Sequence, residues 1–330
     1  MPAAGIDMQK ALQIYRAGGD IRLPLEFAAF CAGALSQMSP NMSEVTAVDH
    51  LIIAVRDLAE AEKTYTAIFG RAPSWRGTHP GVGTGNVLYR LANTYVELYA
   101  PVAEGANADA LKKRLDEVGE GLYGVVLGVA DAAAATAAFN ARGLKSGAPV
   151  DGSGRDGITG ATRKWRTIAM PASETRGLFL LGIQHLSEPD ALPMAPLSDG
   201  VSDAEAVASC DHVVVMTPDA AAMKSLFGDK LGIRLALDQT KPEWGVRQLF
   251  FRAGGLTLEV VEPLDKEKAP KAERFWGVAW KVPDMAAAVA RLAKAGLDVS
   301  EVRKGRKPGT EVATIRKPTN GVPTLLISQS

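Results

Sequence analysis

The stretch Val48-Asp49-His50-Leu51-Ile52-Ile53-Ala54-Val55-Arg56-Asp57-Leu58 puts a histidine at the mouth of an apolar run and passes straight into a helical pattern. The run reads as a buried strand. Asp57 reads as the N-cap of the helix after it, because its carboxylate can accept the free N–H groups of the first turn. The same grammar occurs four times. His50 to Asp57 (HLIIAVRD) is matched by Gly124 to Asp131 (GVVLGVAD), His212 to Asp219 (HVVVMTPD) and Gly277 to Asp284 (GVAWKVPD), each with its aspartate seven residues on.

Alanine-rich helical patterns follow over Leu58–Phe69, Ala132–Arg142, Ala220–Leu231 and Met285–Ala295. Each stops at a glycine (Gly70, Gly143, Gly232, Gly296), the residue that enters the left-handed conformation of a helix end without steric cost. Reference residue to glycine measures 20, 19, 20 and 19 positions, so modules one and three resemble each other, as do two and four. Strand-like runs separated by turns complete each unit: Asn86–Leu91 and Thr94–Ala100, Lys164–Ala169 and Gly177–Ile183, Arg247–Arg252 and Leu256–Glu262, Glu311–Arg316 and Pro323–Ser328. A unit of about 55 residues cannot bury its own sheet, so the modules must pair.

The predicted architecture is α+β: four βαβββ modules paired into two incomplete barrels. Proline-rich residues 189–208 form the linker between domains at 46–188 and 209–330, and residues 1–45 form a helical extension. Gly77 to Asn86 and Gly147 to Gly160 read as glycine-rich loops. The apolar run Leu23 to Leu35 is too short to span a bilayer, is broken by Glu26, and lacks the basic flank of a signal peptide. With 37 basic against 37 acidic residues there is no electrostatic footprint for nucleic acid or an anionic membrane. Two distant cysteines, Cys31 and Cys210, give no disulfide framework and fit a cytoplasmic protein. The expected partner is a small-molecule substrate or ligand; a homodimer is left open.

One pair of residues carries the chemistry. Glu97 follows His50 by 47 residues, in Thr94-Tyr95-Val96-Glu97-Leu98-Tyr99, and Glu259 follows His212 by the same interval. Imidazole and carboxylate suit a divalent metal such as Zn, Fe, Mn or Ni. A histidine at a strand mouth can equally be satisfied by a carboxylate alone.

The pattern resembles the vicinal oxygen chelate superfamily, which includes glyoxalase I, extradiol dioxygenases and the fosfomycin- and bleomycin-resistance proteins. VDHLIIAVRDL, YVELYAP, CDHVVVMTPD and LEVVEP carry the resemblance, together with the order of the modules across residues 46–328. His79 to Asn86 (HPGVGTGN), leading into Tyr95 to Leu98, looks like the glyoxalase-like subgroup. The resemblance implies sheets curled around a cleft that holds a divalent metal, with ligands in the first and last strands of a module. His50, Glu97, His212 and Glu259 match those positions. It further implies a metal-dependent enzyme, of isomerase or lyase type more readily than a dioxygenase, acting on a small oxygenated metabolite. Glu97 would be ligand or base and His79 an acid/base, with Asn86, Tyr95 and Trp165 binding substrate.

This chain departs from the family pattern in modules two and four. Gly124 and Gly277 stand where the first-strand ligand would be, and Leu181 and about Leu326 replace the carboxylate. Pairing within each half therefore leaves two protein ligands per site, where a catalytic metal usually has three. Two residue sets could repair the deficit: His185, if its strand continues that far, or a pairing of modules one and three that gathers His50, Glu97, His212 and Glu259. The alternative function is a non-catalytic protein that sequesters a hydrophobic or aromatic compound. Arg163, Trp165, Arg166 and Arg176 form one basic cluster suited to a substrate carboxylate, and Arg303, Lys304, Arg306 and Lys307 form another.

Overall fold

The computed structural model describes residues 44–79 and 81–329. The expected helical extension lies outside these residues, save that Val45 already begins a strand. The first module runs β1 (Val45–Ala54), α1 (Leu58–Phe69), β2 (Trp75–His79), β3 (Thr84–Arg90) and β4 (Tyr95–Pro101). A helix α2 (Ala106–Val118) leads to the second module: β5 (Gly121–Val129), α3 (Ala132–Ala141), β6 (Val150–Arg155), β7 (Thr162–Ala169) and β8 (Phe179–His185). The third comprises β9 (Ser209–Met216), α4 (Ala220–Lys224, continued by a π-helical turn over Ser225–Lys230), β10 (Arg234–Lys241), β11 (Val246–Ala253) and β12 (Leu256–Pro263). The fourth comprises β13 (Arg274–Lys281), α5 (Met285–Lys294), β14 (Asp298–Val299), β15 (Arg303–Lys304), β16 (Thr310–Lys317) and β17 (Thr324–Gln329).

The four aspartates cap as their spacing predicts. Asp57, Asp131, Asp219 and Asp284 each accept a backbone N–H from the first turn of the helix they precede. Two stretches read as loops are strands instead. Gly77 to Asn86 is the β2–β3 hairpin, and β6 lies within Gly147 to Gly160. Glycine-rich strands lack the apolar alternation that marks a strand in sequence. Helix α2 was also not anticipated, since its largely polar pattern buries only Ala108, Leu111 and Leu115.

Sequential modules pair, so modules one and three do not. β1 lies parallel to β4 and antiparallel to β5, giving an eight-stranded sheet in the order β2-β3-β4-β1-β5-β8-β7-β6. The second half repeats this as β10-β11-β12-β9-β13-β17-β16-β14, with β15 added beside β16. Alternation then sorts the side chains of β1. Leu51 and Ile53 join the core beneath the helices, while His50, Ile52 and Ala54 face the concave side. One continuous apolar cluster runs through both halves, where Phe69 of α1 meets Trp280 of β13 edge to face, ring centres 5.2 Å apart.

Candidate functional site

The concave face of the first sheet encloses a cavity of about 520 Å³. His50, His79, Asn86, Tyr95, Glu97 and Trp165 all line it, so six residues singled out in the sequence meet in one place. β1 and β4 run parallel in register, which sets Glu97 opposite Ile52 and brings its carboxylate to the His50 ring. His50 Nε2 stands 3.5 Å from Glu97 Oε2. Asn86 Nδ2 donates to Glu97 Oε1 at 2.7 Å. Tyr95 stacks on the His50 ring at 4.3 Å and 16°. His79, at the end of β2, shares a hydrogen bond of 3.0 Å between its Nδ1 and the Thr84 hydroxyl.

Asp49 was not anticipated. Its Oδ1 lies 2.7 Å from His50 Nδ1 and its Oδ2 lies 2.8 Å from His185 Nε2. Consecutive strand residues normally face opposite sides. Here the pairing of β1 with β5 skips from Val48 to His50, so Asp49 is the extra residue of a β-bulge and can reach its neighbour's ring. β9 has the same bulge, pairing with β13 at Cys210 and His212 but not at Asp211, and His212 Nδ1 lies 2.9 Å from Asp211 Oδ2. The Asp-His dipeptide, present in both halves, was the signal available. His185 belongs to β8, as the continuing-strand expectation required, but it holds Asp49 instead of facing Glu97.

These contacts set the charges. Burial pushes the Asp49 carboxyl up, yet hydrogen bonds with His185 and His50 outweigh it and hold the pKa below the ordinary carboxylate range. For Glu97, burial is likewise outweighed by His50, then Asn86, and its pKa is lowered. Burial disfavours the His50 imidazolium, but Asp49 and Glu97 together raise its pKa above the ordinary 6.5.

The second half carries the same constellation in its own sheet. His212 Nε2 is 3.4 Å from Glu259 Oε2, and Gln248, in the place of Asn86, donates to Glu259 Oε1 at 2.6 Å. The four residues His50, Glu97, His212 and Glu259 thus form two separate pairs, not one four-ligand site. The halves differ around this network: Thr257 stands where Tyr95 does, Lys281 pairs with Asp211 where His185 pairs with Asp49, and a further position differs beside the amide. Gln239 Nε2 donates to Gln248 Oε1 at 3.2 Å, whereas the matching strand position in the first half is Gly77, paired with Asn86, and Asn86 Oδ1 is buried without a partner.

The opposite wall of the first cavity is apolar. A side chain at Gly124 would place its Cβ 2.5 Å from the Phe179 ring, so that ring fills the space a module-two histidine would need. Phe179 stacks on Tyr123 at 4.5 Å, and Leu181 and Ile183 continue the wall. In module four the cleft-side position is Leu325, set opposite Ala279. Leu326, one residue on, is fully buried in the core.

A glyoxalase-like domain model matches residues 48–207, and a model of the glyoxalase/bleomycin resistance protein/dioxygenase superfamily matches residues 211–314. The chain belongs to the vicinal oxygen chelate superfamily. Solved structures share this fold at low identity. A mutant of 4-hydroxymandelate synthase from Streptomyces coelicolor is 14% identical with a TM-score of 0.63, covering 87% of this chain and 93% of its own. A hypothetical protein from Staphylococcus aureus is 12% identical at 0.58, covering 85% and 98%. A Mn(II)-bound glyoxalase from Novosphingobium aromaticivorans is 16% identical at 0.57, covering 87% and 83%. No curated protein matches in sequence.

The superfamily's divalent metal can be tested against these side chains. Asp49 occupies His50 Nδ1, the carboxylate support that metal-binding histidines use, and leaves Nε2 facing Glu97. A neutral Nε2 and a carboxylate oxygen are both acceptors, so their approach calls for a cation between them, either a proton or a metal. The pair fits a divalent metal in donor type. It fits as a two-residue holder, since among the described residues no group of three His, Cys, Asp or Glu side chains is placed to share one.

Proposed function

We propose that the first-half cleft is the working site of a divalent-metal-dependent enzyme of isomerase or lyase type, acting on a small oxygenated metabolite. The observation that carries this reading is the confrontation of His50 Nε2 with Glu97 Oε2 at 3.5 Å above a cavity of about 520 Å³. His50 and Glu97 would hold the metal. When bound, it would polarise a substrate oxygen and stabilise the negative charge that develops there. Asp49 fixes the His50 ring, and Asn86 fixes one oxygen of Glu97 so that the other faces the cavity. His79 presents an imidazole to the same cavity, where it would serve as the acid/base. The apolar wall of Tyr123, Phe179 and Leu181 receives the rest of the molecule and excludes water from it.

That same wall favours a second reading, in which the cleft sequesters a hydrophobic or aromatic compound without turnover and a proton on His50 bridges to Glu97. Mn²⁺ titration of chelator-treated protein, followed by electron paramagnetic resonance, separates the two. The enzyme reading expects bound Mn²⁺ that His50→Ala abolishes in the first half and His212→Ala leaves there. No Mn²⁺ binding at millimolar concentration, with ligand binding unchanged in Glu97→Ala, would leave the sequestering reading standing.

A further inference from the structure

We infer that the ligand of the first-half cleft is an organic acid with an apolar body, and that Arg163 receives its carboxylate. The inference rests on that cleft being the working site, whether or not a metal is used there. β7 alternates so that Arg163, Trp165 and Thr167 line the cavity. Arg163 is 6% exposed, although a guanidinium keeps its charge in any protein environment. Such a charge is costly to bury without a counter-ion.

Several other arginines of this chain have one, and Arg71 and Arg291, which have none among the described residues, donate to backbone carbonyls instead. Arg76 pairs with Glu62, Arg142 with Glu44, Arg176 with Glu273 and Arg247 with Asp238. For Arg163, no carboxylate lies within 4.0 Å among the described residues. The acids around it are engaged elsewhere. Asp156 accepts the backbone N–H groups of Arg76 and Thr159 and the Thr159 hydroxyl, Asp49 is shared by two histidines, and Glu97 is held by Asn86 and His50.

Two aromatic rings position the guanidinium without neutralising it. Its central carbon lies 5.7 Å from the Trp75 ring centre and 5.4 Å from that of Tyr95. Arg163 lines the cavity, and its guanidinium also stands within hydrogen-bonding reach of the Tyr95 hydroxyl, a neutral partner. Tyr95 also stacks on His50, which places the cation and the His50–Glu97 pair on a common ring. A planar carboxylate matches the guanidinium fork. The apolar wall at Tyr123, Phe179 and Leu181 matches a hydrocarbon or aromatic body.

The test uses the full chain in EDTA, so that its outcome does not depend on metal binding. Phenylacetate, 3-phenylpropanoate and phenylglyoxylate are titrated beside the neutral amide of each, by tryptophan fluorescence and calorimetry, with phenyl phosphate as a second anion. The expected result is at least one acid bound about tenfold or more tighter than its amide, from the charge-assisted hydrogen bonds it gains, and tighter than phenyl phosphate. Arg163→Met should erase the acid's advantage and leave the amide within about twofold, Arg163→Lys should keep part of it, and Arg316→Met, on the second sheet away from this cavity, should leave it intact. Should Arg163→Met fail to fold, Arg163→Lys and the wild-type comparison decide. Equal affinity of acid and amide throughout, no acid bound at millimolar concentration, a phenyl phosphate preference, or an advantage that survives loss of Arg163 would overturn the inference. Mn²⁺ binding at His50 is expected to persist in Arg163→Met, so failure of the metal reading is seen separately.

Discussion

Asp156 shows how a single side chain fixes the ground on which the site stands. It lies just beyond β6 and accepts Arg76 N at 2.9 Å and Thr159 N at 2.9 Å, tying the β6–β7 turn to β2. Burial pushes its carboxyl up, but the hydrogen bonds from Arg76 and Thr159 outweigh this and lower its pKa below the ordinary 3.8. Stability from a depressed carboxyl is complete above its unfolded value and is lost as pH falls through the folded one. Asp156→Asn is therefore expected to cost about 1–3 kcal/mol at neutral pH. That gap from wild type should stay level down to about pH 4 and close at lower pH, as read from urea unfolding at a series of pH values. A gap that widened in acid would contradict the assignment. Asp49, by contrast, was hidden from sequence reading, because alternation assigns it to the face opposite His50 and only the bulge turns the two side chains toward each other.

At the level of strands and hairpins, modules one and three are near copies that differ where it matters. The repeat spacing, the four capping aspartates and the order of elements were all legible, because hydrophobic periodicity and capping chemistry are local signals. Strands β2 and β6 were not, since β2 (Trp75-Arg76-Gly77-Thr78-His79) and β6, with Gly152 and Gly154, carry no apolar stripe to read. Gly77 is one point where the two clefts part. A Cβ there would sit 2.8 Å from Asn86 Oδ1 and 2.7 Å from Trp75 Nε1, so Gly77→Gln should push a side chain into the cavity. Expected is a loss of at least about tenfold in acid affinity by calorimetry, as when a ligand-sized space is filled, with Mn²⁺ binding to His50 retained. Unchanged affinity in a folded variant would mean that Gly77 does not govern access.

Across the whole molecule, the two halves share a core. Tyr65 of α1 donates to Thr319 O at 3.1 Å, Asn93 exchanges hydrogen bonds with the backbone of Cys210, and Arg291 of α5 donates to Ala67 O and Ile68 O at the end of α1. Trp280→Ala empties the contact with Phe69 and should cost about 3–5 kcal/mol. Because the apolar cluster is continuous, that loss should shift one urea transition, with tryptophan fluorescence and far-ultraviolet circular dichroism moving together. Two separated transitions would show that the halves melt independently. The shared core also decides what natural selection can discard. The second cleft, with Gln239 set beside Gln248, is free to drift once it has no ligand to hold. The helix face of that same half is not, because it forms the far wall of the core on which the first cleft is mounted. Among relatives that keep Gly77 and Arg163, variation should accumulate at Gln239 and Trp244 and be scarce at Trp280 and Arg291, so that a half freed of its ligand would still be preserved by the work of its partner.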